Sequence, residues 1–214
     1  MRRIIDLTES LADGKRGVEF ETTRILAEDG WNALKLKLYS HAGTHMDAPH
    51  HFIDGAGTID ELDLAGCIGP ARVIDLTGVG AGELITVEHL GAAAEDIREG
   101  DRLLLKTGWS GRAGTGEYRD KLPRISIELA RWLAERKVAL IGVEPPSVAD
   151  VHNIPEVTEV HRTLLSAGIV IVEGLTNLEA LTQEVVELIA LPLKIAGGDG
   201  SPARVVAIEE VETA

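Results

Sequence analysis

Short apolar runs recur along the chain, and most of them have the length and composition of β-strands. They are rich in Val, Ile and Leu and are bounded by Gly or Pro, as is usual for strands. The predicted strands are Arg2–Leu7, Leu34–Tyr39, Ala71–Leu76, Arg102–Lys106, Val138–Val143, Ile169–Glu173, Leu191–Ile195 and Arg204–Ile208. None of the runs approaches the roughly 20 apolar residues of a transmembrane helix, so we expect no membrane span.

Helical periodicity lies between several of these strands. The predicted helices cover residues 86–94, 127–136, 157–167 and 177–187. Ser126 is a suitable N-cap for the second of them, and Gly168 is a suitable C-terminal stop for the third. Helices alternate with strands in the second half, and two strands flank a Gly-rich turn at residues 197–202. The sequence therefore predicts an α/β protein with a mixed sheet, folded as a single domain over residues 1–214.

Charge narrows the range of partners. Thirty-five acidic residues stand against 21 basic ones, which gives a formal charge of −14 at pH 7. Such a surface repels phosphate backbones and anionic lipids. Three Trp, two Tyr and two Phe are too few for a base-stacking surface. We therefore expect neither a nucleic-acid partner nor a membrane partner.

The chain has one cysteine, Cys67, in an apolar stretch. An intrachain disulfide is therefore impossible, which fits a reducing compartment, and the thiol is expected to be buried and inert. The N-terminal run reaches Asp6 before any apolar stretch of signal-peptide length. Together these features predict a cytoplasmic protein.

Four of the seven histidines fall within residues 41–51, together with Asp47. If the Leu/Lys alternation of residues 34–38 continues as a strand with its leucines toward the core, His41, His45 and Asp47 share the opposite face. Gly43 would then leave room for an ion between the two imidazoles. Two imidazoles and a carboxylate on one face are typical of a zinc or manganese site. A chance cluster or a weak metal-scavenging patch remains the alternative.

The same alternation of side chains along a strand distinguishes His50 from His51 at the end of this run. On a strand, His51 would point toward the metal and His50 away from it. No Gly-x-Ser-x-Gly nucleophile motif is present in the sequence. The residues thus favour attack by metal-activated water over covalent catalysis.

The run His41-x-Gly43-Thr44-His45-x-Asp47-x-Pro49-x-His51-Phe52 resembles the signature of the cyclase-like metal-dependent hydrolases, a family that includes bacterial kynurenine formamidase and isatin hydrolase. Residues 5–8, 71–76 and 161–178 are similar to further parts of that family. The resemblance implies a swivelling β/β/α fold. It also implies assembly as a homodimer or homotetramer, with active sites near the subunit contacts.

The resemblance also implies a set of metal ligands. They are His41, His45, Asp47, His161 and Glu173. Asp47 would bridge a first ion to a second one, so that one or two divalent ions are held per subunit, with zinc favoured over manganese. His51 would be the general acid/base.

The implied activity is hydrolysis of a small-molecule amide, most simply the arylformamidase reaction from N-formylkynurenine to kynurenine and formate. A ring-opening lactam hydrolase of the isatin type is the alternative enzyme. A non-catalytic, metal-binding family member is the alternative that is not an enzyme. Residues 14–21 lack the Trp-Pro-Gly-Asp-Pro-like loop of kynurenine formamidases, and Glu144 stands where many relatives carry Asp. These departures concern the substrate pocket and leave the ligand set unchanged.

Overall fold

The computed structural model of the chain describes residues 1–210. Its strands are β1 (Arg2–Asp6), β2 (Val18–Arg24), β3 (Ala33–Leu38), β4 (His45–Asp47), β5 (Ile68–Asp75), β6 (Leu84–Ile85), β7 (Arg102–Lys106), β8 (Arg124–Ile125), β9 (Leu140–Val143), β10 (Val170–Glu173), β11 (Val185–Pro192) and β12 (Gly200–Glu210). The α-helices are α1 (Leu26–Asp29), α2 (Ala93–Asp96), α3 (Glu117–Asp120), α4 (Ile127–Glu135) and α5 (Ile154–Ser166). Single 3₁₀ turns cover Pro49–His51, Ile59–Glu61, Leu64–Gly66, Val87–Leu90, Trp109–Arg112 and Leu178–Ala180.

Eight strands form one sheet that curls until it closes on itself. Their order is β1-β12-β11-β5-β7-β9-β10-β4, and β4 pairs with β12 as well as with β10. The strands β5, β7, β9 and β10 run parallel to one another, whereas the other pairings in this sheet are antiparallel. The predicted α/β class with a mixed sheet is therefore confirmed. Closure places the three-residue strand β4 between two distant parts of the chain.

Apolar side chains fill both sides of the curled sheet. One group, which includes Leu105, Leu129 and Leu164, packs between the sheet and helices α4 and α5. The other lies inside the curl and includes Met46 and Leu188. No helix within residues 1–210 is long and apolar enough to cross a membrane.

The two long predicted helices are present, with caps that explain their starts. The Ser126 hydroxyl accepts a hydrogen bond from the Leu129 N–H at 3.1 Å, as the sequence predicts for the start of α4. Helix α5 begins at Ile154, three residues before its predicted start at Val157, because Asn153 caps it and a proline occupies its first turn.

Two predicted elements toward the C-terminus are wrong. The helix predicted over 177–187 is only a 3₁₀ turn at Leu178–Ala180, followed by strand β11 from Val185. Asn177 has a left-handed backbone at φ 58°, which no α-helix accommodates. The following alternation of buried and exposed residues is that of a strand, and β11 ends at Pro192 rather than at the predicted Ile195.

The short helix predicted over residues 86–94 is split. Val87–Leu90 forms a 3₁₀ turn, and α2 begins at Ala93 after a break at Gly91, where φ is 54°.

Strands β2 and β3 form a separate two-stranded hairpin, and β2 was not predicted. The side chains of Leu34 and Leu36 on β3 are 57% and 53% exposed. The prediction that these leucines face the core is therefore wrong, because β3 pairs with β2 alone and lies outside the main sheet.

Candidate metal centre

Five ionisable side chains from distant parts of the sequence meet beside strand β4. We call them the carboxylate–histidine cluster: His41, His45, Asp47, His161 and Glu173. The antiparallel pairing of β4 with β10 sets His45 opposite Glu173. His161 is buried on helix α5, which brings its ring to the same place. All five sequence-predicted ligands are thus brought together.

Asp47 lies at the centre of this cluster. Its Oδ1 is 2.9 Å from His41 Nδ1 and 3.7 Å from His45 Nε2, and its Oδ2 is 3.5 Å from His161 Nε2. Glu173 closes the other side, with Oε2 at 3.1 Å from His45 Nε2 and Oε1 at 3.4 Å from His161 Nε2. The cluster contains two possible ligand triads, His41–His45–Asp47 and Asp47–His161–Glu173, each with its ligand atoms within 4.8 Å of one another. Asp47 is common to both.

The donor set fits a divalent metal ion. Asp47 Oδ2 is buried and accepts no hydrogen bond within residues 1–210, although His161 Nε2 lies 3.5 Å away. His45 Nδ1 lies 2.9 Å from the Gly43 carbonyl, and His161 Nδ1 lies 2.7 Å from the Val157 carbonyl. A carbonyl only accepts, so both histidines carry a proton on Nδ1, and their Nε2 atoms face the carboxylates. This is the usual orientation of metal-binding histidines.

Electrostatics at the cluster favour positive charge. Burial opposes the charged form of His41, but the hydrogen bonds to Asp47 and Asp199 and the charges of Asp47 and Glu173 together outweigh it and raise the pKa of His41 to about 9. Burial also opposes charge on His45 and His161, and the hydrogen bonds and charge of Glu173 overcome it and raise both pKa values. In turn, the two histidines outweigh the effect of burial on Glu173 and lower its pKa. A bound cation would supply the charge that these carboxylates attract.

The backbone reaches this cluster differently from the sequence prediction. His45 and Asp47 do share one face of β4, while Met46 points into the core. His41, however, lies in the turn between β3 and β4, so strand alternation does not place it. The prediction that Gly43 leaves space for an ion is also wrong. A Cβ at Gly43 would point toward Leu11, 2.8 Å from its side chain, rather than into the space between the two imidazoles.

Gly200 is the glycine that makes room for the cluster. A Cβ at this position would lie 2.6 Å from Cε1 of His41. Gly200 pairs with Asp47 where β12 meets β4, a contact that the sequence prediction did not include.

His51 lies at the edge of the cluster, in the 3₁₀ turn after β4 rather than on a strand. Its ring stacks on His41 with centroids 3.9 Å apart, and it is 6.1 Å from the ring of His161. Burial lowers the pKa of His51, so its neutral form predominates at pH 7. His50 is exposed, as expected for the histidine that faces away from the site.

Asp199 is a site residue that the sequence analysis missed. Its Oδ2 is 3.0 Å from His41 Nε2 and 3.4 Å from His51 Nδ1. The turn predicted between the last two strands is present, but its acidic residue was not connected with the histidines. The only indication in the sequence is that Asp199 directly precedes β12, the strand that pairs with β4 and closes the sheet.

A cleft of about 810 Å³ opens on the cluster. The residues around it include His51, Tyr39, Tyr118 and Arg119. Part of its wall is held by Glu144, whose buried carboxylate accepts hydrogen bonds from the N–H groups of Thr107, Gly108 and Trp109 and from the Ser110 hydroxyl. The Tyr118 hydroxyl donates to the Glu144 carbonyl at 2.7 Å. Glu144 thus anchors the loop that borders the cleft.

Comparison with known proteins agrees with this fold. The model of a family described as Putative cyclase matches residues 5–150. The chain is 36% identical over 213 residues to a kynurenine formamidase of Salinibacter ruber, covering 95% of this chain and 96% of that protein. It is also 36% identical over 178 residues to a kynurenine formamidase of Bacillus mycoides, covering 82% and 79% of the two chains.

A solved structure, isatin hydrolase A from Labrenzia aggregata bound to benzyl benzoate, superimposes with a TM-score of 0.84 at 30% identity. The superposition covers 97% of this chain and 93% of that one. The closed mixed sheet is therefore the fold of a known class of protein. The chain belongs to the cyclase family.

Proposed function

We propose that this protein is a metal-dependent amide hydrolase, and specifically an arylformamidase that converts N-formylkynurenine into kynurenine and formate. The observation that carries the proposal is the pair of ligand triads that share Asp47 at the base of an open cleft, with His51 beside them. The two kynurenine formamidases that cover most of the chain support the choice of substrate.

The proposed ligands of the first ion are His41, His45 and Asp47. Asp47 would also hold a second ion, together with His161 and Glu173. Zinc is proposed rather than manganese, because three imidazoles and two carboxylates in a compact buried cluster suit zinc. One or two ions per subunit are compatible with this ligand set.

The bound ion supplies Lewis acidity, which lowers the pKa of water and polarises a carbonyl group. Hydrolysis adds hydroxyl to the formyl carbon and a proton to the amine nitrogen as the C–N bond breaks. His51, neutral at pH 7, accepts the proton from the attacking water and returns it to the departing amine. Asp199 Oδ2 lies 3.4 Å from His51 Nδ1, and its negative charge would stabilise the imidazole ring while it carries the proton.

A ring-opening lactam hydrolase is the second candidate. The likeness to isatin hydrolase A, at 30% identity over nearly the whole chain, favours it. The reaction uses the same groups, because a lactam is a cyclic amide and His51 would protonate the same nitrogen. A non-catalytic role is disfavoured, since the five ligands and His51 are all present around one cleft.

The proposed assembly is a homodimer or homotetramer in the cytoplasm. Exposed apolar side chains on the β2–β3 hairpin, with Trp31 at 57% and Leu34 at 57% exposure, support it. Further exposed apolar residues lie on β1, β5 and β11, including Ile4, Ile68 and Leu191. Burying such surfaces against a second copy would stabilise the protein. The single cysteine supports a cytoplasmic location. The acidic surface supports the absence of a nucleic-acid partner.

The test is hydrolysis of N-formylkynurenine by protein of measured metal content, before and after chelation. We expect chelator-sensitive turnover that returns when one divalent ion is added back. Fully metallated protein that hydrolyses isatin and leaves N-formylkynurenine intact would select the second candidate. Failure on both substrates would overturn the amide hydrolase.

A further inference from the structure

Two arginines at the cleft have no anionic partner. Most basic side chains within residues 1–210 form an ion pair, as expected for a chain with a charge of −14. Arg16 and Arg119 border the cleft and make no hydrogen bond or ion pair with any described residue. Arg119 is partly buried, and its side chain lines the cleft.

The acidic residues nearby are already paired. Glu9 accepts a hydrogen bond from Lys15 at 2.7 Å, and Asp120 lies 3.0 Å from His152. Burial and the like charge of Arg16 both lower the pKa of the Arg119 guanidinium, while Asp120 and more distant groups act in the other direction. Arginine stays protonated in proteins, so two positive charges remain close together. An anion between them would relieve this repulsion.

The backbone that carries Arg119 is anchored beside the site. It lies on α3, next to Tyr118, whose hydroxyl is bonded to the Glu144 carbonyl and whose own carbonyl accepts from the Trp109 indole at 2.8 Å. Arg16 belongs to the loop before the β2–β3 hairpin, a different segment of the cleft border. The two arginines therefore border the cleft from separate parts of the chain, and the backbone next to Arg119 is anchored through Tyr118.

We propose that Arg119, assisted by Arg16, binds a carboxylate of the substrate while the amide lies at the carboxylate–histidine cluster. The inference rests on the proposed function and narrows its substrate class to amides that carry an anionic group away from the bond that breaks. N-Formylkynurenine has such a group in its amino-acid carboxylate. A guanidinium suits this role because its planar N–H groups bind a carboxylate through two parallel hydrogen bonds.

The experiment measures binding of the product, which requires no turnover. L-Kynurenine and its methyl ester are titrated by calorimetry into the metal-loaded wild-type protein and into the variants Arg119→Gln, Arg119→Lys and Arg16→Gln. Arg131→Gln is the matched control, since it removes the same charge from an exposed ion pair with Glu159 on the outside of the protein. Circular dichroism verifies that each variant is folded.

We expect Arg119→Gln to weaken L-kynurenine binding by about tenfold to a hundredfold, the usual effect of losing a charge-assisted hydrogen bond. The ester, which lacks the negative charge, should lose little affinity. The affinity of Arg119→Lys for L-kynurenine should lie between those of the wild type and Arg119→Gln. Arg16→Gln should weaken L-kynurenine binding less than Arg119→Gln does. Arg131→Gln should bind L-kynurenine as tightly as the wild type. Equal losses for acid and ester, no loss in Arg119→Gln, or no binding of L-kynurenine by the wild type would each overturn the proposal.

The two proposals fail in different ways. Binding of L-kynurenine through Arg119 without turnover of N-formylkynurenine would overturn the arylformamidase and keep the anion site. Turnover of N-formylkynurenine with unchanged product affinity in Arg119→Gln would keep the enzyme and overturn the anion site. In an active enzyme with the anion site, Arg119→Gln should raise KM and leave kcat nearly unchanged, since the carboxylate stays remote from the reacting bond.

Discussion

At the scale of single residues, the geometry of the cluster separates ligands from their neighbours. His45 is buried with its Nε2 between two carboxylates, whereas His50, five residues further on, is exposed. We expect His45→Ala to reduce metal affinity by more than about tenfold, because even changes to groups that only orient a ligand cost about 10- to 100-fold. Metal content after dialysis, measured by atomic emission, checks this. His50→Ala is the control and should retain its metal; a metal-replete His45→Ala would remove this histidine from the ligand set.

The protonation state of His51 predicts the acid side of the pH profile. Burial lowers its pKa below 6.5, and the neutral ring is the form that accepts a proton. Activity should therefore be level near pH 7 and fall as the pH drops through the lowered pKa. The measurement is kcat/KM against pH, with metal content verified at each point because acid also displaces metal from histidines.

The variant that isolates this effect is His51→Ala. Loss of a general acid/base costs about 10²- to 10⁴-fold in rate, and metal content should stay near that of the wild type. The remaining activity should lack the acid limb assigned to His51. An unchanged rate would exclude this residue from the mechanism.

The proposed ligand residues could be found from the sequence, but the residues that contact them could not. The spacing of His41, His45 and Asp47 indicates a metal site by itself, and the family resemblance adds His161 and Glu173. Asp199 was missed because its position depends on the pairing of β12 with β4, which joins residues about 150 apart in sequence. Nothing in the local pattern of either segment indicates that contact.

At the scale of elements, periodicity predicted most strands and both long helices. Periodicity failed where the same apolar pattern fits two structures, such as a helix or a strand, or a core strand or an exposed one. Residues 177–187 contain enough apolar positions for a helix, but the left-handed Asn177 and the pairing of β11 on both edges produce a strand. The leucines of β3 alternate as in a core strand, yet they lie on a hairpin outside the main sheet. Tertiary context decides both cases.

The loop after β7 depends on one buried carboxylate. Glu144 is fully buried, and its carboxylate accepts hydrogen bonds from three consecutive N–H groups and two hydroxyls. In Glu144→Gln an amide N–H₂ group replaces one accepting oxygen, so we expect the free energy of unfolding to fall by about 2 kcal/mol. Urea denaturation measures this change. Glu95→Gln, at an exposed position, is the control and should change stability by less than about 0.5 kcal/mol.

At the scale of the whole molecule, the exposed hairpin predicts self-association. Leu36 is 53% exposed on β3, and its neighbour Lys35 is paired with Glu21. If the hairpin contacts a second copy through its apolar face, Leu36→Asp should shift the protein toward a monomer, because a charge would be buried in the interface. Light scattering after size-exclusion chromatography gives the mass. Lys35→Gln should keep the mass of the wild type, and an unchanged mass in Leu36→Asp would exclude this face from the interface.

The closure of the sheet has a consequence for how the protein matures. Strand β4 is only three residues long, and it is held by β10 on one edge and by β12 on the other. The second proposed ion draws on Asp47, His161 and Glu173, which come together only after far-apart segments have joined, so a partly folded chain lacks its complete ligand set. Uptake of that ion would then be a late event during biosynthesis. Once bound, the ion would link β4 to β10 and α5 and so stabilise the closed sheet.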